Sequence, residues 1–176
     1  GLVLHQRRHV RRQPRRKLFL LARREQCLLQ QPLEVQHFCA RGLHVRDEGN
    51  LESPIQETLE PGDPKQKYLA PIAAVCQALH DRALAALRAG GTPVVLGGDH
   101  SLGAGSVAAT AAHARERGGE IGLLWVDAHG DINTPETSPS GNIHGMPVAA
   151  LLGEGPPELT SIGGEIAVAK SIEALS

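Results

Sequence analysis

The sequence predicts an α/β fold with parallel strands, and three observations carry that prediction. From residue 71 onward the patterns run helix, strand, helix, strand, loop, helix, the order of parallel strands joined by crossover helices. Two short apolar runs, residues 92–97 and 121–126, have the continuous hydrophobic character of strands buried on both faces. Each run ends in polar side chains, at the position where parallel sheets build their sites.

Residues 1–24 hold nine Arg/Lys and no acid. They read as a disordered basic arm, an Arg-rich targeting peptide or a start foreign to the fold. No Ser precedes Ser53, which disfavours a transit peptide and leaves the other two. Residues 33–45 are poorly periodic, but Arg41-Gly42-Leu43-His44-Val45 reads as a helix end, a Gly stop and a short strand. Residues 48–67 are loop, broken by Pro54, Pro61, Gly62 and Pro64. Ile72, Val75/Cys76, Leu79, Ala83 and Leu87 then recur at helical spacing until Gly90-Gly91. The run 92–97 is a strand and Gly98-Asp99-His100-Ser101 a turn. Residues 102–117 form an Ala-rich helix stopped by Gly118-Gly119, and 121–126 the next strand. The loop 127–143 is rich in Gly, Pro, Ser, Thr and Asn; residues 144–152 are a helix ended by Gly153 and Pro156-Pro157.

A length of 176 residues suffices for one domain with its own core. With four aromatics, Phe19, Phe38, Tyr68 and Trp125, that core must be built from Leu, Val, Ile and Ala. No apolar run approaches the roughly 18–20 residues of a membrane span. Residues 25–176 carry nine bases and all nineteen acids, a net of −10, which argues against nucleic-acid partners. Cys27, Cys39 and Cys76 are odd in number and lack metal-ligand spacing. They read as free thiols of a reducing, cytoplasmic compartment, with a Cys27–Cys39 bridge as the alternative.

The chemistry concentrates at two strand ends. Asp127, His129 and Asp131 alternate after one apolar run, and residues two apart on an extended chain project to one side. His100 follows the other run. Neighbouring parallel strands would bring these side chains together as two imidazoles and two carboxylates. Such a set suits a divalent first-row metal, and a bridging carboxylate suits two. Alone, each piece reads as a polar turn; together they predict a metal site. The loop 133–145 is dense in small neutral hydrogen-bonding groups, suited to a zwitterionic head group. His144, opening the next helix, would be disfavoured from protonation by the helix dipole and able to shuttle protons.

One rival pattern exists. Gly103-Ala104-Gly105-Ser106-Val107-Ala108 fits the dinucleotide fingerprint, with Asp127 at the end of the next strand. Four residues separate the strand from Gly103, however, so the glycines are expected inside the helix, where small residues permit close packing. That reading also leaves His129, Asp131 and His144 without a role.

Gly97-Gly98-Asp99-His100-Ser101, Val126-Asp127-Ala128-His129-Gly130-Asp131-Ile132-Asn133-Thr134-Pro135 and Ser140-Gly141-Asn142-Ile143-His144-Gly145 together resemble the ureohydrolases, and the arginases most closely. Gly42 to Leu51 also looks like an early arginase strand and turn. The resemblance implies a three-layer α/β/α fold with a parallel sheet, of the arginase/deacetylase type, and two Mn²⁺ ions. By similarity His100 and Asp131 would bind one ion and His129 the other, with Asp127 bridging them. An activated water would attack the guanidinium carbon of L-arginine, giving urea and L-ornithine. Asp131 would help pass a proton to the departing amine, and His144 would exchange protons with bulk water. Asn133, Ser138 and Ser140 match positions that hold the substrate α-carboxylate. The family is commonly trimeric or hexameric.

Departures from the family pattern set further expectations. Two later aspartate ligands of the family have no counterpart, and residues 156–176 form an unmatched tail. Residues 1–32 do not look like the family's first strand. The expected organisation is therefore a basic, non-family-like segment 1–32, a partial arginase-like domain 33–155 and the tail, an incomplete fold with weak or no turnover. A non-catalytic module that at most binds metal or a partner is the alternative.

Overall fold

A computed structural model describes residues 17–21, 41 and 43–168. Most of the basic stretch 1–24, Cys27, Cys39, Gly42 and the end of the tail lie outside these residues.

Among the described residues the sheet has three parallel strands: β1 (Lys17–Leu21), β2 (His44–Asp47) and β3 (Gly91–Val95), in the order β2-β1-β3. The registers pair Lys17 with His44 on one side and with Gly91 on the other. The basic arm expected at the N-terminus thus contains the central strand. Its Leu-Phe-Leu-Leu run is a strand because it is paired on both sides, a non-local circumstance that the flanking Arg residues conceal. β2 lies where the short strand is expected. β3 also lies where expected, but it is half-buried along its length rather than buried on both faces. It is an edge of the described sheet, packed against one helix.

That helix, α1 (Leu69–Arg88), follows the predicted spacing and buries Cys76, Leu79, Ala83 and Leu84. It packs on β3 and on α2 (Leu102–Arg115). α2 is a helix of small residues, so it approaches α1 closely; a Cβ at Gly105 would overlap the Cys76 carbonyl. Both glycines of the dinucleotide-like pattern lie inside α2, as packing requires and as a phosphate loop would not allow. Two core clusters result. Leu79, Ala83, Leu84 and Ala109 fill one. The other joins Cys76, Val107 and Ala108 to Ile143, Met146 and Leu151. Arg88 and Glu116 pair across the C-terminal ends of the two helices. The pair is exposed, so it contributes little.

Burial pushes the Cys76 thiol up to about 12, and its Sγ–H donates to the Ser101 carbonyl at 3.2 Å. Thiolate is the reactive form. Native protein treated with iodoacetamide at pH 8 is therefore expected to leave Cys76 unalkylated, and urea to expose it. Peptide mapping that finds Cys76 labelled at the rate of a free thiol would contradict this placement.

The second expected strand, residues 121–126, is not one: no ladder forms there among the described residues. It keeps the alternation of a strand. Ile121, Leu123, Trp125 and Asp127 are partly buried, while Leu124 and Val126 are 48% and 66% exposed. An apolar pattern supplies a face, but a strand also needs a hydrogen-bonded neighbour.

The expected helix 144–152 begins later. A 3-10 turn spans Ile143–Gly145, and α3 runs Pro147–Leu151. Proline at the first helical position excludes the preceding residue from helical geometry, and Met146 has φ −122° and ψ −7°. His144 consequently lies before the helix, not at its dipole end. A last short helix, α4 (Pro157–Thr160), buries Leu159. No described helix is long and apolar enough to cross a membrane.

Candidate metal centre

Gly97 and Gly98, with φ of +93° and +71°, turn the chain sharply after β3, a conformation that favours glycine. Asp99 then locks the turn. Its Oδ1 accepts from the Ser101 backbone N–H at 3.0 Å and from the Ser101 hydroxyl. The turn projects His100 toward the loop after residue 126. His100 Nδ1 lies 2.8 Å from Asp127 Oδ2 and 3.0 Å from Asp131 Oδ2. The two carboxylate side chains are 7% and 5% exposed, the imidazole 38%.

Asp131 reaches this position through a left-handed backbone, φ +50°, which Asp tolerates better than most residues. The turn gives the residue two tasks. Its side chain faces His100, while its carbonyl accepts from the N–H groups of Val148 at 3.0 Å and Ala149 at 3.4 Å. The metal-capable carboxylate is thereby tied to the start of α3. Asp127 accepts the His129 backbone N–H on Oδ1 at 3.0 Å. That hydrogen bond, aided by the nearby His100 and His129, holds its carboxyl below the usual carboxylate range. It is ionised at neutral pH.

The donor set fits a divalent cation. His100, Asp127 and Asp131 each offer one ligand atom within 4.8 Å of the others. Neighbouring donors about 2.1 Å from a six-coordinate ion lie roughly 3 Å apart, the spacing seen here between Nδ1 and both carboxylate oxygens. His129 does not join them: its side chain is 81% exposed, with Nδ1 3.6 Å from Asp127 Oδ1. Asp127 thus turns one oxygen to each imidazole.

His144 is 51% exposed, with Nδ1 4.0 Å from Asp99 Oδ2. Asp99 has no place among the sequence-predicted site residues, although Asp-x-Ser is a recognisable turn signal. Asn133 and Ser138 are half-buried and Ser140 is exposed. Ser138 Oγ accepts the Gly141 N–H at 2.9 Å, Ser140 Oγ accepts the Asn142 N–H at 3.2 Å, and Asn133 Oδ1 accepts from the Thr137 hydroxyl. The Asn133 N–H donates to the Gly145 carbonyl at 3.1 Å and closes the loop.

The far leg of that loop docks on residues 64–67. Lys67 N–H donates to the Gly141 carbonyl at 2.9 Å, and Gly141, φ +68°, lies where a Cβ would overlap the Pro64 carbonyl. Gly141→Ala is expected to undock the loop and cost about 2–3 kcal/mol through overpacking and left-handed strain. Chemical denaturation checks it; a loss below about 0.5 kcal/mol would mean that the loop is not held this way.

The Arginase family model matches residues 16–169, extending beyond 33–155 at both ends. The arginase of Bacillus caldovelox is 46% identical over 121 residues, 68% of this chain and 39% of that protein. That of Bacillus subtilis (strain 168) is 42% identical over 123 residues, 70% of this chain and 40% of that protein. The crystal structure of Bacillus cereus arginase superposes with a TM-score of 0.73 at 31% identity, covering 89% of this chain and 54% of that one. Entamoeba histolytica arginase in complex with L-ornithine gives 0.63 at 30% identity, covering 88% and 55%. The chain spans about 40% of the length of the curated relatives it matches.

Proposed function

The chain belongs to the arginase family, a three-layer α/β/α fold, and from that premise we propose that its site serves metal-dependent hydrolysis of L-arginine to L-ornithine and urea. The observation that carries the reading is the convergence of His100, Asp127 and Asp131 from two separate loops. His100 and Asp131 would hold one divalent ion, Mn²⁺ by family habit. His129 would serve a second, with Asp127 between them. Such ions supply Lewis acidity and make water a nucleophile at neutral pH.

The remaining steps belong to the chain's own residues. Water adds to the guanidinium carbon, the bond from that carbon to the chain nitrogen breaks, and the departing amine takes a proton. Asp131 would pass that proton. His144, half-exposed with the Asp99 carboxylate nearby, suits exchange with bulk water. Asn133, Ser138 and Ser140 would orient the substrate's α-carboxylate. Both serine hydroxyls accept a backbone N–H and still carry a proton to donate. The net charge of −10 over residues 25–176 favours a small cationic substrate over nucleic acid. Self-association into a trimer or hexamer belongs to the same reading.

Two aspartates that the family's site uses have no counterpart among the motifs of this sequence, and fewer anionic ligands hold metal less tightly. We expect the 176-residue chain to bind Mn²⁺ weakly and to release urea from L-arginine slowly or not at all. Calorimetric Mn²⁺ titration and a urea assay with excess Mn²⁺ check this. No Mn²⁺ binding would reject the metal site; fast turnover would reject the expected weakness. Binding without turnover would favour the alternative, a non-catalytic metal-binding module.

A further inference from the structure

We propose that Trp125 is a positioning residue that fixes the plane of the His100 imidazole, and that Gly103 is the slot admitting its ring. The inference rests on the metal-centre reading above. The two carboxylates meet His100 through one atom, Nδ1. A ring anchored at a single nitrogen can still pivot about it, and the His100 side chain is 38% exposed. A second, differently directed contact is needed to hold a donor lone pair on target.

Trp125 makes that contact. Its ring lies 6.3 Å from His100, centroid to centroid, with the planes 82° apart, an edge arrangement that aromatic pairs favour. It comes from the partly buried side of residues 121–127, two positions before Asp127, so ring and carboxylate reach His100 from the same segment. On its other side the ring meets α2. A Cβ at Gly103 would stand 2.8 and 2.9 Å from Cη2 and Cζ3 of Trp125, closer than carbon atoms pack. Gly103 therefore sets where the indole lies, three residues along the chain from the histidine it supports. Trp125 Nε1 is buried without a hydrogen-bond partner. What the residue contributes is ring volume and edge, which phenylalanine largely supplies and leucine does not.

The test compares wild type, Trp125→Phe, Trp125→Leu and Gly103→Ala. One readout is Mn²⁺ affinity, from the free-ion electron paramagnetic resonance signal. The other is the diethyl pyrocarbonate acylation rate of His100 in metal-free protein, read by peptide mass spectrometry, with exposed His129 as internal reference. Trp125→Phe is expected within about twofold of wild type in both. Trp125→Leu and Gly103→Ala should bind Mn²⁺ at least about tenfold more weakly and acylate His100 several-fold faster, with His129 unchanged. Wild-type values for Trp125→Leu and Gly103→Ala would overturn the proposal, as would a Trp125→Phe loss equal to that of leucine. If Trp125→Leu fails to fold, Gly103→Ala, which keeps the indole, decides. If wild type binds no Mn²⁺, the metal reading falls, and the metal-free acylation rates still decide whether Trp125 holds the ring.

Discussion

Asp131→Asn is expected to abolish Mn²⁺ binding while leaving the metal-free protein as stable as wild type. The two effects separate because Asp131 does two jobs with different atoms. Its carbonyl accepts from Val148 and Ala149, and its backbone sits at φ +50°. Asn tolerates that conformation as well as Asp does, so the tie to α3 survives. The lost group is one of two carboxylates that share a single imidazole nitrogen in a site where both are more than nine-tenths buried. Without a cation, those neighbouring anions gain little from each other's company. With one, the Asp131 oxygen is a ligand that a neutral amide replaces poorly. Ligand binding to the native state raises stability by about 2.7 kcal/mol at a hundredfold excess over Kd. Thermal melts with and without Mn²⁺ should therefore show an upward shift for wild type and none for Asp131→Asn. Asp131→Ala should differ by melting lower even without metal, since Ala pays the left-handed strain of about 1–3 kcal/mol. A Mn²⁺-induced shift retained in Asp131→Asn would remove this residue from the site.

How this site was legible in the sequence has a physical limit. α1 could be read because helical periodicity is local, and the turn before His100 because two glycines and Asp-x-Ser are local signals. The alternation of Asp127, His129 and Asp131 suggested three convergent ligands on an extended chain. The chain is not extended there: bends follow residue 126 and Asp131 is left-handed. Period two fails, so Asp127 and Asp131 meet His100 while His129 swings toward solvent. β1 and residues 121–126 show the same limit in opposite directions. A strand requires a partner distant in sequence, which β1 has within an unpromising Arg-rich stretch. Residues 121–126 have the more promising pattern and no described partner. Trp125 beside His100 was hidden for a related reason, since nothing local relates a ring to a histidine 25 positions earlier.

Gly105→Ala is expected to destabilise the protein strongly, and its mechanism discriminates between two readings of one motif. At Gly105 the obstacle to a Cβ is the Cys76 carbonyl of α1, which belongs to a helix backbone and cannot rotate aside. Accepting the methyl means separating α1 from α2 along the contact where Cys76, Ala104, Val107 and Ala108 are all within a few percent of full burial. Overpacking costs typically 1–3 kcal/mol; with no flexible atom to give way, about 3 kcal/mol or more is expected here. Against a total of roughly 5–15 kcal/mol for a domain, that is enough to lower the denaturation midpoint markedly. Helix propensity pulls the other way, since Ala exceeds Gly by about 1 kcal/mol in a helix interior. A net loss would therefore show that packing outweighs propensity. Gly119→Ala, outside the helix and with its nearest obstacle 3.6 Å away, is the control for a methyl that has room and should change stability little. Were the Gly-x-Gly-x-x-Ala pattern a phosphate cradle, Gly105→Ala would instead spare stability and remove binding of NAD(H). Urea denaturation of the two variants, with an NAD(H) titration of wild type expected to show none, separates a helix-packing glycine from a ligand-binding one.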